Sequence, residues 1–137
     1  MIDVVNTIEE YEAVIREYSS RIFLVGIPDD LAMEIIENYP DYREDLAPNK
    51  TLSESIIRVL SVDREDIVRK RIAAKRATPP DVQIELAKDS SHSVRAAIGR
   101  NPKVPREALE ILAQDEEDWI AERAQERLDA LDSADAK

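Results

Sequence analysis

The feature that most constrains this chain is that it resembles itself at a displacement of 26 residues. At that offset Leu60 falls on Leu86 and Leu112, Asp63 on Asp89 and Asp115, and Val68 on Val94 and Ile120. Ile72 falls on Ile98 and Ala124, Pro79 on Pro105, Asp81 on Glu107, and Ala87 on Ala113. At twice the displacement Asn49 meets Asn101, Leu46 meets Ile98 and Arg43 meets Arg95. A degenerate copy, one residue shorter, fits 28–49, with Pro28 and Leu31 in the places of Pro79 and Val82. Periodicity on this scale is the mark of stacked supersecondary units that cannot bury their apolar faces alone.

Each unit reads as two short helices. Pro79-Pro80-Asp81 and Pro105-Arg106-Glu107 open the first, because proline loses no helical hydrogen bond in a first turn and a carboxylate there faces the positive end of the dipole. Val82 and Leu86, then Ala108, Ile111 and Leu112, recur at three- and four-residue spacing as one buried stripe per helix. Asp89 and Asp115 mark the break between helices. Val94, Ala97 and Ile98 form the second stripe, and Arg100-Asn101-Pro102 ends it, since a residue before proline avoids the helical region.

The stretch Leu86-Ala87-Lys88-Asp89, then Val94-Arg95-Ala96-Ala97-Ile98, then Arg100-Asn101-Pro102-Lys103-Val104-Pro105-Arg106-Glu107-Ala108-Leu109 resembles the leucine-rich repeat variant family and its HEAT-like relatives. The resemblance covers 53–124 well and 28–49 loosely. It implies an all-α fold, a right-handed α-α superhelix. In this reading 1–27 is an N-terminal capping helix and connector. Four helical pairs come next, at 28–52, 53–78, 79–104 and 105–131, and 132–137 is a flexible tail. Ile8, Tyr11, Val14, Ile15 and Tyr18 share one face of the first helix, and Thr7 with Glu10 resembles a capping box.

Composition excludes several chemistries. Without cysteine the chain has no disulfide framework, thiol nucleophile or thiolate metal site. The longest apolar run, Ile22 to Ile27, is far below the ~20 residues of a membrane span, and Met1-Ile2-Asp3 lacks a basic secretory start. A bacterial-type cytoplasm is the expected location. No Gly-rich phosphate loop, HExxH or EF-hand spacing is present, and the single His92 is read as a surface residue of the inter-helix turn Ser90-Ser91-His92-Ser93, with no nucleophile–base–orienter arrangement around it. The chain is therefore read as non-catalytic, with no cofactor, metal or membrane partner expected.

The net charge of −11 conceals a segregation. Residues 1–66 carry 16 acidic and 6 basic side chains, 67–107 carry 4 and 10, and 108–137 carry 10 and 3. A basic centre thus lies between two acidic ends. Outward positions of the second helices, Lys70, Arg71, Lys75, Ala96, Arg100, Glu122 and Arg127, with Arg76 and Trp119, are the candidate partner-binding residues. Trp119 has two readings, an interface anchor or, preferred, a plug closing the core of the last unit.

A second set recurs in register: Glu37, Asp63 and Asp89, each followed six residues later by Arg43, Arg69 and Arg95. The preferred reading is a structural ladder pairing each arginine with the acidic residue of its own or an adjacent unit. The position ends in Ala121. The functional expectation is a protein–protein interaction module or scaffold, in one version an inhibitor or immunity-like protein whose acidic ends cover a basic partner. The alternative is a nucleic-acid-binding or DNA-repair-type helical repeat protein using the basic strip on phosphates, against which stand the scarcity of aromatics there and the acidic flanks.

Overall fold

The computed structural model describes residues 3–135, and its regular elements are all helical apart from one isolated parallel bridge between Val4 and Gly26. The helices are α1 (Ile8–Glu17), α2 (Asp29–Asn38), α3 (Arg43–Leu46), α4 (Glu54–Ser61), α5 (Asp66–Ala73), α6 (Pro80–Leu86), α7 (His92–Arg100), α8 (Arg106–Leu112) and α9 (Asp118–Asp135). The chain divides after Asp63 into two compact units, a boundary that falls inside the stretch 53–78 expected to form one helical pair.

In the first unit α1 begins where Thr7 accepts a hydrogen bond from the Glu10 amide. The reciprocal half of the box is displaced by one residue, since Glu10 accepts from the Asn6 amide. Ile8, Tyr11 and Val14 are buried, while Tyr18 ends the helix and stands 46% exposed. Pro28 caps α2, and Tyr39, which leaves the helical region before Pro40, stops it. Beyond α2 the chain makes a 3-10 turn, Pro40–Tyr42, and the single helical turn α3, so the second helix expected in 28–52 is reduced to a fragment. Ser53 caps α4, whose Ile56, Ile57 and Leu60 are buried with Leu31, Ile35 and Leu46.

In the second unit α5 packs on α6 and α7, α6 on α7 and α8, α7 on α8 and α9, and α8 on α9. Prolines 79 and 105 stand at the N-cap, one residue before the first turn, and their carbonyls accept from the amides of Gln83 and Leu109. Each helix buries one stripe: Val68, Ile72 and Ala73 on α5, Val82 and Leu86 on α6, Val94, Ala97 and Ile98 on α7. On α8 the stripe is Ala108, Leu109 and Leu112, with Leu109 rather than Ile111 in the core. α9 contributes Ile120, Ala124 and Leu128. Of the tail expected at 132–137, residues 132–135 continue α9, and Asp132 accepts a hydrogen bond from Arg106 at 2.8 Å; residues 136 and 137 lie outside the described residues.

Arginine–aspartate pairs brace both units. Arg43 approaches Asp63 at 3.4 Å within the first. In the second, Arg69 clasps Asp89 through Nε and Nη2 at 2.8 and 3.0 Å, and Arg95 clasps Asp115 at 2.8 and 3.2 Å. Each arginine therefore reaches forward to the aspartate 20 residues ahead. Arg95 also turns Nη1 back to the Asp89 carbonyl, six residues behind it, at 2.9 Å. The hydrogen bond to Asp115, opposed by burial, raises the affinity of Arg95 for its proton. Asp89 and Asp115 in addition accept from the amides of Ser91 and Glu117, which fixes the turn into α7 and α9. Glu37 is exposed on α2 and, among the described residues, forms no ion pair; the partner of Arg43 is Asp63 instead.

Candidate functional site

In the second unit a cleft lies between α5 and α7. Its wall is built from one face of α5, where Ile67, Lys70, Arg71 and Ala74 succeed one another at helical spacing, and from Ala97, Arg100 and Asn101 at the end of α7. The volume is about 460 Å³, within the ~300–1,000 Å³ range of ligand-binding pockets. Small side chains create it. Ala74 and Ala97 cannot fill the space between two helices whose neighbouring positions carry long cations. Among the described residues the lining contains three cationic side chains and no carboxylate. Neither Lys70, which is half-buried, nor Arg100, which is exposed, forms an ion pair among the described residues.

Asn101 closes the end of the cleft and is held rigidly. Its Nδ2 donates to the carbonyls of Ala73 and Lys75, both at 2.8 Å, and its Oδ1 accepts from the Lys103 amide. These bonds tie the end of α5 to the end of α7, so the spacing of the walls is set by a buried side chain. Gln83 gives a second tie, from Nε2 to the carbonyls of Thr78 and Lys103.

The corresponding groove between α7 and α9 is nearly closed. It is lined by Ala96, Gly99, Arg100, Trp119, Ile120 and Arg123 and retains only about 10 Å³. Trp119 stands 26 residues beyond Ser93, which does not line the first groove, and its indole lies along the second. The preferred reading of Trp119 as a core plug is thereby corrected: the ring lies along a surface groove and stays 49% exposed, because it falls on the outward edge of α9 beside buried Ile120. Its neighbour is His92, the first residue of α7, edge-on with ring centroids 6.2 Å apart. His92 thus begins a helix rather than lying in a turn.

Of the candidate partner-binding residues, Lys70, Arg71 and Arg100 converge on the cleft, and Trp119 adjoins it through Arg100, which lines both grooves. Lys75 and Arg76 lie in the α5–α6 connection and do not line it. Glu122 is exposed on α9. Ala96, expected to face outward, is 4% exposed because α9 packs over α7. Arg127 points inward: its Nη1 donates to the carbonyls of Gly99 and Asn101 at 2.7 and 3.0 Å and so closes the end of α7. The apolar floor of Ile67, Ala74 and Ala97, and Arg123 beside Trp119, escaped the sequence reading. The signal for the floor was available in the three- to four-residue rhythm of Ile67, Lys70/Arg71 and Ala74, which is one helix face.

Among the described residues no helix is long and apolar enough to cross a membrane, and no group of three or more His, Asp or Glu side chains is placed to hold a metal ion. Comparison with protein-family models, with curated proteins and with solved structures finds no match to the chain.

Proposed function

We propose that the chain is a non-catalytic protein-interaction module of helical pairs, of the HEAT-like or leucine-rich-repeat-variant kind, acting in the cytoplasm. A partner protein docks on the surface formed by α5 and α7. The observation that carries this reading is the open cleft walled by Lys70, Arg71 and Arg100 and held to a fixed width by Asn101. A preformed recess of this kind lowers the ordering cost of binding. A cationic recess favours a scaffold or adaptor over an inhibitor acting through its acidic ends.

The test is cleft-dependent capture. A photo-reactive amino acid placed at Ala74, which is exposed on the cleft wall, is expected to crosslink one stoichiometric protein from native lysate. The same label at exposed Glu126 on α9 is expected not to. Loss of capture in the double variant Lys70→Glu, Arg100→Glu, with helicity unchanged by circular dichroism, supports the reading. Equal capture from both positions, or capture indifferent to the charge reversal, overturns it.

A further inference from the structure

We infer that the α5–α7 cleft is a receptor for a short acidic–apolar peptide segment, an inference resting on the interaction-module reading. The cleft has two chemistries in one volume. Lys70, Arg71 and Arg100 form a cationic rim, and Ile67, Ala74 and Ala97 form an apolar floor, with Ala97 6% and Asn101 1% exposed beneath. A segment that satisfies both places an aliphatic side chain on the floor and carboxylates on the rim. The floor alone would accept any apolar residue. The rim alone would accept any anion. Together they select a carboxylate on either side of an aliphatic residue.

The surroundings argue for a short acidic peptide over a polynucleotide. α9 packs on α7, one wall of the cleft, and carries six carboxylates, Asp118, Glu122, Glu126, Asp129, Asp132 and Asp135, against two arginines, Arg123 and Arg127. At physiological ionic strength charges are felt over about 8 Å, so a segment confined to the cleft meets the three cations while an extended phosphate backbone also meets this acidic helix. Base stacking needs aromatic platforms, and the cleft lining has none among the described residues. Trp119 lies in the neighbouring, nearly filled groove, edge-on to His92.

That placement provides the reporter. Trp119 is the only tryptophan and shares its groove with Arg100, so an anion that draws the Arg100 guanidinium into the cleft changes the indole emission. The experiment titrates the full chain with the fluorescein-labelled peptide Glu-Glu-Leu-Glu-Glu and reads anisotropy, then repeats the titration unlabelled and reads Trp119 fluorescence. Saturable binding is expected, weakening on the order of tenfold as salt rises from about 50 to about 300 mM. The double variant Lys70→Glu, Arg100→Glu is expected to abolish it, and Ala74→Trp to block it sterically without changing charge. Arg76→Glu, outside the cleft, is expected to leave it unchanged.

Equal binding of Gln-Gln-Leu-Gln-Gln, or of Glu-Glu-Ser-Glu-Glu, removes one of the two chemistries and overturns the assignment. So does an oligothymidine that binds more tightly than the peptide, or peptide binding that survives both cleft variants. Cleft-dependent capture of a partner protein without binding of the acidic peptide overturns this inference alone. Loss of both overturns the reading on which it rests.

Discussion

Arg127 and Asn101 make the same pair of bonds, 26 residues apart. Asn101 donates to the carbonyls 28 and 26 residues before it, those of Ala73 and Lys75, and Arg127 donates to the carbonyls 28 and 26 residues before it, those of Gly99 and Asn101. In the first unit Asn49 plays a similar part, donating to the carbonyls of Ile22 and Val25 while its Oδ1 accepts from the Thr51 amide. An α-helix ends with carbonyls that lack intrahelical partners, and at the ends of α5 and α7 a side chain 26 to 28 residues further along the chain satisfies them.

The expected consequence is a graded loss of stability. Asn101→Ala leaves one buried and one partly buried carbonyl without their donor, at a cost of about 2–4 kcal/mol. Arg127→Ala, whose bonds are only partly buried, costs less, about 1–2 kcal/mol. Asn101→Asp keeps the acceptor for the Lys103 amide but sets a carboxylate against two carbonyls, and is expected to be at least as damaging as alanine. Urea denaturation of the three variants checks the order.

The forward reach of Arg95 to Asp115 leads to a second expectation. The pair is largely withdrawn from water, with side-chain exposures of 10% and 5%. Removing Asp115 leaves the buried guanidinium with only the exposed Glu116 carboxylate, at 3.7 Å, as counter-charge, so Asp115→Leu is expected to cost about 3 kcal/mol. Adding Arg95→Met to that variant removes the stranded cation and is expected to restore part of the loss, although the carbonyls of Asp89 and Ser90 then lose their donor. A double-mutant cycle measures the coupling. Additive losses would mean the pair does not act as a unit.

How much of this could be read in advance differs from element to element. The helices were legible because their stripes and proline starts are local patterns, as with Val82 and Leu86 after Pro79. The arginine–aspartate partners were legible as a set but not as a choice between neighbours: Asp89 is six residues before Arg95 and Asp115 is twenty after it. Spacing alone does not decide which carboxylate a long side chain reaches, since that depends on how one helix stacks on the next. Glu37 illustrates the limit, having the right charge and register but an exposed position on α2. Arg127 was misread for the same reason. An arginine on a polar helix face looks solvated until the preceding helix end is brought beside it. The cleft cations were legible from charge, whereas the cleft itself depends on small residues, Ala74 and Ala97, whose effect is to leave space.

The two glycines are expected to respond to alanine with opposite signs. Neither has a positive φ. A Cβ on Gly99 meets only the Leu112 Cδ1 at 3.6 Å, an ordinary contact. Gly99→Ala near the end of α7 is therefore expected to stabilise the fold by about 0.5 kcal/mol through helix propensity. A Cβ on Gly26 meets the Val4 Cγ2 at 3.0 Å, where Gly26 bonds to Asp3 and Val5 across the isolated bridge. Gly26→Ala is expected to lower the melting temperature by loosening that bridge. Thermal scans of both variants separate the cases.

The last expectation concerns alkaline pH. Tyr11 is buried with no hydrogen-bond partner for its hydroxyl, and burial, reinforced by Asp45, pushes its proton affinity well above the ordinary phenol range. Tyr42 packs on it with ring centroids 5.8 Å apart and donates to Glu12 at 2.8 Å, a hydrogen bond that raises its own proton affinity. For both groups the folded state holds the proton more tightly than the unfolded chain, whose tyrosines titrate near pH 10 (about the ordinary value). Their contribution is therefore complete below about pH 10 and declines as pH rises further, because the unfolded chain releases protons first. Tyr11→Phe removes an unsatisfied hydroxyl without opening a cavity, so its stability at neutral pH is expected to be unchanged or up to about 1 kcal/mol higher. Above pH 10 the same variant is expected to lose stability less steeply than the parent chain. Urea midpoints measured at pH 8 and in steps to pH 11 read both effects, and parallel curves for the two proteins would show that Tyr11 does not govern the alkaline limb.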